Sequence, residues 1–304
     1  MSTTITSLAL SIAARESVIA ARAALVPLGR FAHSFAVRED DKGNVVKVPV
    51  FDRTSALEFN SSSNNYTTAS SADVAGKNIT LSHHRWNSAR LLPDDDMETD
   101  VGRDWVQQTT VSKVEACAIA MANDALTSIV QGAGGSLTWS GGTSKAKVAN
   151  ARKQAIAAGI NPMAATLLLD SDKFTDLIVE LDASVYGTTS AIADGYVDRL
   201  LGFGRVAEVQ NAPDGFSCAV VADDAFGIAS RLPRVQNADL FDVSDISLPE
   251  LGPWSFRVRA TGTNNVDARF LGAEIIYGCA VLQPSKILVP GGGAGSSASQ
   301  SGAA

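Results

Sequence analysis

The longest regular pattern of apolar residues lies between Glu98 and Gln131. Apolar side chains recur there at spacings of three and four residues, which is the period of an α-helix. The residues in this pattern are Val111, Val114, Ala118, Met121, Ala125 and Ile129. Acidic residues cluster at the start, where they complement the positive end of the helix dipole, and the glycine-rich run 132–135 follows the end. We therefore predict one helix about 50 Å long, which is longer than a compact core requires.

Alternating residues precede that helix and predict a β-hairpin over residues 31–51. The alternating positions are Phe31, His33, Phe35 and Val37 in the first run and Val46, Val48 and Val50 in the second. Turn-forming residues at 41–44 separate the two runs. Because Pro49 cannot donate a hydrogen bond to a neighbouring strand, the hairpin is expected at a sheet edge or standing free. Such a ribbon cannot bury its apolar face alone, so we expect a neighbouring subunit to cover it.

The remaining N-terminal segments are predicted to be an arm, a loop and a strand. Residues 1–30 carry a thin apolar stripe, which predicts a short helix ended by Pro27 and Gly29. Ten of the fourteen residues in 60–73 are Ser, Thr or Asn, which predicts a long polar loop. A strand is predicted at Ile79–Trp86.

From Thr143 onward the pattern mixes helices and strands, so the whole chain is predicted to be α+β. Strands are predicted at Thr166–Asp170, Arg205–Val209, Ser217–Val221 and Phe270–Val281, and alternation continues at Phe256, Val258 and Ala260. Helices are predicted at Lys145–Ala158, from an N-cap at Ser171 to near Gly187, and near Asp223–Ser230. The tail, Gly291–Ala304, holds only Gly, Ala, Ser and one Gln and is predicted to be flexible.

Composition narrows the class of protein. The 304 residues include 25 Lys plus Arg and 32 Asp plus Glu, for a net charge of −7, and 45% are apolar. That apolar content excludes wholesale disorder. The acidic balance argues against a dedicated duplex-binding protein, although it allows a protein that only encloses nucleic acid. No stretch is long and apolar enough to span a membrane, so no membrane partner is expected.

Motifs for catalysis or cofactor binding are absent from the sequence. There is no phosphate-binding loop, no zinc-protease motif and no nucleophile elbow, and Gly202-Phe203-Gly204 is interpreted as a turn. His83 and His84 are adjacent on a predicted strand, so they should point to opposite faces and not share a metal. Asp94-Asp95-Asp96 is interpreted as a helix start, not a cation site. We predict a protein that is not an enzyme, with no cofactor and no metal.

Two arginines leave alternatives open. Arg257 and Arg259 share one face of a predicted strand. That face either lies in water, or it meets the acids of a neighbouring subunit or packaged nucleic acid.

The order of elements, with four local segments, resembles a known family. The segments are Asn78–Trp86 with the acidic turn Leu91–Asp96, Ala164–Asp170 with the helix after it, Gly195–Phe203, and Gly278–Val281 with Pro284. In the order given, these segments are similar to the strand that precedes the family's spine helix, to a strand and helix of its axial domain, to a glycine-bounded segment, and to the last strand of its peripheral domain. This arrangement resembles the major capsid proteins of tailed bacteriophages, which share the Hong Kong 97-like fold, over about residues 5–290.

The resemblance implies a division of the chain into parts. It implies an N-terminal arm at 1–30, an extended β-hairpin loop at 31–77, a peripheral domain with a long spine helix at 78–139 and 255–289, an axial α/β domain at 140–254, and a flexible tail at 290–304. The arm and loop would contact neighbouring subunits, for which Phe31, Phe35, Val46, Val48, Arg257 and Arg259 are the candidate residues.

The function that the resemblance implies is that of a shell subunit. The chain would assemble with itself as pentamers and hexamers into an icosahedral capsid that encloses double-stranded DNA, within the bacterial host cytoplasm. A separate scaffold protein, a portal and decoration proteins are further implied partners. The alternative within the same fold is an encapsulin-type compartment that encloses cargo enzymes. The alternative of another class is a soluble α/β enzyme with an unrecognised site.

Overall fold

The computed structural model describes residues 17, 21, 24–36, 43–51, 74–91, 100–181, 196–210, 212–233, 241–247, 254–262 and 269–291. Its helices are α1 over residues 24–31, α2 (Asp100–Gly132), α3 (Ser144–Ala157) and α4 (Ser171–Glu180). Its strands are β1 (His33–Ala36), β2 (Val45–Phe51), β3 (Val74–Thr80), β4 (His83–Leu91), β5 (Gly135–Ser136), β6 (Ala165–Asp170), β7 (Tyr196–Asp198), β8 (Arg205–Val209), β9 (Cys218–Ala222), β10 (Phe226–Arg231), β11 (Phe241–Ser247), β12 (Ser255–Gly262), β13 (Arg269–Val281) and β14 (Ile287–Val289).

A six-stranded sheet, here called the helix-backed sheet, is built around β13. On one edge β13 pairs with β4, and both β12 and β10 pair with its other edge, one after the other. The outer neighbours are β11 beside β12 and β1 beside β10. Because β13 has 13 residues, it is long enough to hold two strands in sequence on one edge.

The predicted long helix is confirmed as α2, which spans 33 residues and lies across one face of this sheet. Its apolar stripe is buried, and Met121, Ala125 and Ile129 have no exposed surface. The sheet meets it with every second residue of β13: Leu271, Ala273, Ile275 and Tyr277. This alternation follows from the period of two along a strand, and it places Glu274, Ile276 and Ala280 on the other face of β13.

The second sheet also has six strands, in the order β5-β14-β9-β6-β8-β7. Its central strands are apolar on both faces, as in the run Leu167–Leu169, because helices cover the sheet. The end of α1 is attached to this sheet. The Thr166 hydroxyl and the Arg205 guanidinium both donate to the carbonyl of Arg30, at 3.0 and 2.8 Å. The predicted strands at Thr166–Asp170 and Arg205–Val209 are confirmed.

Two connections run side by side between the sheets. Strand β5 follows α2, β14 follows β13, and the two short strands pair in parallel. The amide of Gly134 donates to the carbonyl of Pro284 at 2.8 Å, and that of Leu137 donates to Val289 at 2.9 Å. The turn between β9 and β10 crosses beside them, since the amide of Leu282 donates to the carbonyl of Ala225 at 2.8 Å, so three connections pass between the sheets at this place.

The predicted hairpin over residues 31–51 is wrong in its pairing. Strand β1 pairs in parallel with β10, and β2 pairs antiparallel with β3 to form a two-stranded ribbon. The residues that separate β2 from β3 in sequence, 52–73, lie outside the described part of the chain. Turn chemistry at 41–44 therefore did not identify the partner strand, which lies much later in the sequence.

Four smaller predictions also need correction. Pro27 and Gly29 do not end the N-terminal helix, since both lie inside α1, which continues to Phe31. The segment near Asp223–Ser230 forms β10, not a helix, because its apolar residues pair with β13. The N-cap of α4 is Asp170, whose carboxylate accepts from the amide of Lys173 at 2.8 Å. The strand predicted at Ile79–Trp86 is two strands, β3 and β4, interrupted at residues 81–82.

Sheet membership does not follow the predicted domain boundaries in every case. Strands β10 and β11 fall within the predicted axial range but pair in the helix-backed sheet, and β5 and β14 fall within the predicted peripheral range but pair in the second sheet. A strand's sheet is set by its long-range partners and not by its neighbours in sequence. The predictions for residues 60–73, Asp94–Asp96 and 292–304 lie outside the described residues.

Glu180, the last residue of α4, caps the start of α3. Its carboxylate accepts from the amides of Ser144 and Lys145, at 2.8 and 3.0 Å. The hydrogen bond from the Ser144 amide, followed by that from Lys145, lowers the pKa of Glu180. The C-terminal end of α4 is therefore fixed beside the N-terminal end of α3.

We expect this cap to make stability depend on pH. Because the folded pKa of Glu180 lies below the ordinary glutamate value of about 4.3, its contribution is present above that pH and is lost as the pH falls through the lowered value. Glu180→Gln should lower the melting temperature at neutral pH and flatten its acid dependence. The control is Glu115→Gln on the exposed side of α2, which should change neither. An unchanged acid profile in Glu180→Gln would contradict the prediction.

Candidate assembly surface

Phe31, the first of the candidate intersubunit residues, lies inside the chain's own core. Its side chain is 1% exposed, and its ring centroid lies 5.7 Å from that of Phe226 on β10. It closes the end of α1 onto the helix-backed sheet. Phe31 therefore belongs to the core and not to the predicted contact surface.

Phe35, Val46 and Val48 belong to a small apolar cluster under the ribbon. Val48 is 5% exposed, and Phe35 and Val46 are half-buried beside it. The other members of this cluster come from β2, β3, β10 and the segments after β3 and β13: Val50, Ile79, Leu81, Ala229 and Leu282. The expectation that only a neighbouring subunit could cover the ribbon's apolar face is wrong for this part, because β1 and β10 of the same chain cover it.

The ribbon is held to its own chain at two places near its base. A Cβ atom added at Gly278 of β13 would lie 2.6 Å from the carbonyl carbon of Thr80, so the end of β3 crosses β13 where only glycine fits. Arg231 of β10 donates to the carbonyl of Gly43 at 3.3 Å and to the side-chain oxygen of Asn44 at 3.2 Å. These contacts set the direction in which the ribbon leaves the sheet.

Within the described ribbon, the face turned away from the chain is open. Val45, which is 48% exposed, and Lys47 lie on this face of β2, and no acidic residue lies in β2 or β3. Lys77 is also exposed, but it pairs with Val48 and so lies on the apolar face. The outer surface with Val45 and Lys47, rather than the apolar face, is the part of the ribbon that remains available to a neighbour.

Arg257 is paired within the chain. Its Nε and Nη2 atoms donate to the two carboxylate oxygens of Asp245 on β11, at 2.7 and 2.8 Å, and Nη1 donates to the carbonyl of Pro233. The Arg257 side chain is only 6% exposed. A two-point ion pair of this kind neutralises the guanidinium and fixes its plane. Arg257 is therefore neither a simple solvated residue nor an open site for nucleic acid.

Arg259 has a partner on the next strand. It forms an ion pair with Glu274 of β13, and both side chains are largely buried. The same carboxylate lies 3.0 Å from Nε2 of His84 on β4. Three strands of the helix-backed sheet thus meet at one acidic side chain, on the face opposite α2. The sequence left two alternatives for the face of Arg257 and Arg259, namely water, or the acids of a neighbouring subunit or packaged nucleic acid. In the structure, each arginine instead pairs with an acid of its own chain.

The two adjacent histidines point to opposite faces of the sheet, as predicted. His84 lies with Glu274 on the open face, whereas the ring of His83 stacks on Tyr277 on the α2 face, 5.2 Å between centroids. Beside His84, Trp86 is 47% exposed and covers Gly272, where an added Cβ would lie 2.7 Å from its ring. The open face of the helix-backed sheet therefore combines ion pairs with one large exposed aromatic side chain.

A partly exposed polar cluster on the α2 face was missed from the sequence. Arg85 donates from Nη2 to the carboxylate of Asp124 on α2 at 2.6 Å, and the Tyr277 hydroxyl donates to the same oxygen. Burial, and next the hydrogen bond to Asp124, raise the pKa of Tyr277. The hydrogen bond to Asp124 also raises the pKa of Arg85. The sequence did contain an indication of this cluster. Asp124 lies about one turn after Met121, beside the apolar stripe of α2, where a charged side chain needs a partner.

This cluster should contribute measurably to stability. We expect Tyr277→Phe to lower the free energy of unfolding by about 1 kcal/mol, because it removes a hydrogen bond without removing the ring. Chemical denaturation of the unassembled chain measures this. In an Asp124→Ala background, which removes the acceptor, the same change should cost clearly less, since the two residues share the bond. Equal costs in both backgrounds would show that the bond contributes nothing.

Within the described ranges, no group of three or more His, Cys, Asp or Glu side chains is placed to hold a metal ion. Burial raises the pKa of the Cys117 and Cys218 thiols to about 11, so both stay protonated and unreactive near neutral pH. No described helix has both the length and the apolar character to cross a membrane.

Two solved structures share this arrangement over most of their length. The capsid of cyanophage P-SCSP1u is 14% identical, with a TM-score of 0.53, over 85% of this chain and 85% of that one. The virus-like particle from Pyrococcus furiosus is 13% identical, with a TM-score of 0.54, over 92% of this chain and 97% of that one. No protein-family model and no curated protein matches the sequence. The predicted fold is confirmed by these two structures.

Proposed function

Since this chain has the Hong Kong 97-like capsid fold, we propose that it is the major capsid protein of a tailed bacteriophage. The observation that carries the proposal is the share of the two chains over which the folds match. The likeness to the cyanophage capsid takes in 85% of both chains, so little of this chain remains for another domain. A shell subunit acts through its surfaces and does no chemistry, which agrees with the absence of catalytic motifs in the sequence.

Assembly gives a role to the parts of the chain that a monomer leaves exposed. The outer surface of the ribbon, with Val45 and Lys47, and the Trp86 side chain are available to neighbouring copies. In a closed shell each copy makes several modest contacts, and these add through avidity. We propose that the second sheet with α3 and α4 forms the axial domain, which clusters in pentamers and hexamers, and that the helix-backed sheet with α2 forms the peripheral domain.

The proposed contents of the shell are a double-stranded DNA genome. The net charge of −7 suits a container, because contacts with the genome can then be few and without sequence preference. The subunit would assemble in the host cytoplasm and remain in the virion. A separate scaffold, a portal and decoration proteins are proposed partners.

A protein compartment that encloses cargo other than a genome is the second candidate. The likeness to the virus-like particle from Pyrococcus furiosus favours it, since that likeness covers 97% of the other chain. A phage coat and a compartment differ in contents and not in fold. A soluble α/β enzyme is the remaining alternative from another class.

Expression of the chain alone tests the proposal. Sedimentation and negative-stain electron microscopy should show uniform shells, tubes or large curved sheets. If the chain stays at about 32 kDa, the measurement is repeated with the proteins encoded by neighbouring genes, which include any scaffold. A chain that remains monomeric under both conditions would contradict the shell function. Nuclease-protected DNA in particles from the native source would favour the phage coat, and an enclosed enzyme would favour the compartment.

A further inference from the structure

Helix α3 presents a basic and partly apolar stripe to the surroundings. Its 14 residues include four Lys or Arg and no Asp or Glu, within an acidic chain. Ser144, Val148, Ala151 and Ala155 form its buried side. On the opposite side, Ala149, Lys153 and Ile156 are exposed at spacings of four and three residues, and Ile156 is 52% exposed. This set of three is called the α3 stripe.

Helix α4 presents a stripe of the opposite charge. Phe174, Leu177 and Ile178 form its buried side. Asp172, Asp176 and Val179 are exposed at spacings of four and three residues, and Val179 is 79% exposed, more than any other large apolar side chain in the described part of the chain. This set is called the α4 stripe. Both stripes thus place a charged residue one turn before an exposed branched apolar residue.

The two stripes match position by position. With the helices side by side and parallel, Ile156 lies against Val179, Lys153 opposite Asp176, and the small Ala149 next to Asp172. Residues separated by three and four positions lie on one side of a helix, so all three contacts form together. The α3 stripe offers a base where the α4 stripe offers an acid, and each offers an apolar side chain at the next turn.

These stripes do not meet within one subunit. Glu180 at the end of α4 binds the first amides of α3, so Val179 lies near Ser144. Ile156 is twelve residues further along α3, about 18 Å away at ~1.5 Å per residue. Each subunit therefore carries two complementary patches at separate places, which is the requirement for a head-to-tail contact between identical copies.

We propose that the α3 stripe of one copy binds the α4 stripe of the next copy, and that this contact joins successive subunits around a capsomer. The proposal rests on the proposed shell function. Head-to-tail contacts close into rings when the rotation between copies allows it, which agrees with pentamers and hexamers. A nucleic acid bound to α3 would leave the acidic, apolar α4 stripe without a partner, so a second copy fits both surfaces better.

Charge reversal tests the contact. Lys153→Glu places two acids opposite each other, so we expect the protein concentration at which shells first appear to rise about tenfold or more. Asp176→Lys should have the same effect from the other side. The double variant restores an opposite-charge pair in every contact and should return assembly to near the wild-type concentration. Both substituted positions are exposed, and unchanged circular dichroism and melting temperature in all three variants will show that the subunit still folds.

A matched control separates this contact from a general effect of charge. Lys147→Glu makes the same change of net charge on α3 but outside the stripe, and it should leave assembly unchanged. If wild type forms shells and Lys153→Glu forms them equally well, the contact is refuted while the shell function stands. If Lys153→Glu forms normal shells that hold less nucleic acid, α3 binds nucleic acid instead, and the proposal is overturned. If the wild-type chain forms no shells under any condition, the shell function itself fails.

Discussion

Gly278→Ala is expected to destabilise the subunit by about 3 kcal/mol, because the added methyl group has no room. Its Cβ would lie 2.6 Å from the carbonyl carbon of Thr80 and 3.1 Å from Cα of Leu81, and both are backbone atoms that cannot rotate away. The strain can be relieved only if the end of β3 moves off β13. Chemical denaturation of the unassembled chain measures the loss.

The matched control for this variant is Gly76→Ala, also in the ribbon. An added Cβ there meets nothing within 4 Å, so the change should be neutral or slightly stabilising. We expect Gly278→Ala to impair assembly as well, since the ribbon would leave the sheet in another direction. Equal stability of the two variants would mean that β3 does not cross β13 as described.

Phe31→Ala is expected to lower the free energy of unfolding by about 3–5 kcal/mol, the usual cost of deleting a buried aromatic ring. The side chain is 1% exposed and contacts Phe226, so the change leaves a cavity between α1 and the helix-backed sheet. The measurement is again made on the unassembled chain, by thermal or chemical unfolding.

This variant also separates the two roles considered for Phe31. A residue that acts only between subunits would leave the stability of the isolated chain unchanged and reduce assembly alone. Val45→Ala on the outer surface of the ribbon provides the comparison, because Val45 is 48% exposed and its loss should cost the isolated chain little. A stable Phe31→Ala subunit that fails to assemble would contradict the core position of the ring.

The elements that sequence predicted well carry their signal locally. Helix α2 repeats its apolar residues over many turns, and the run Leu167–Leu169 is apolar throughout, so each could be identified without knowing its partner. The opposite directions of His83 and His84 followed from strand geometry alone. These features made the fold recognisable although the sequence matches no family model.

The errors arose where a partner is distant in sequence. The alternation of β1 and β2 was read correctly as extended chain, but their partners, β10 and β3, lie far beyond the local turn. The same distance hid the ion pair between Arg259 and Glu274, and the meeting of Arg85 with Asp124. A pattern of polar and apolar residues indicates which face of an element is buried, but it does not identify what buries it.

The connections between the sheets have a mechanical consequence. Because β5 and β14 are hydrogen-bonded to each other, and the carbonyl of Ala225 in the turn between β9 and β10 accepts from the amides of Leu282 and Gln283, three connections hold the two sheets at one place. A single tether would let the two sheets rotate independently, whereas three hydrogen-bonded connections resist that rotation. We therefore expect the two sheets to move as one unit within the subunit.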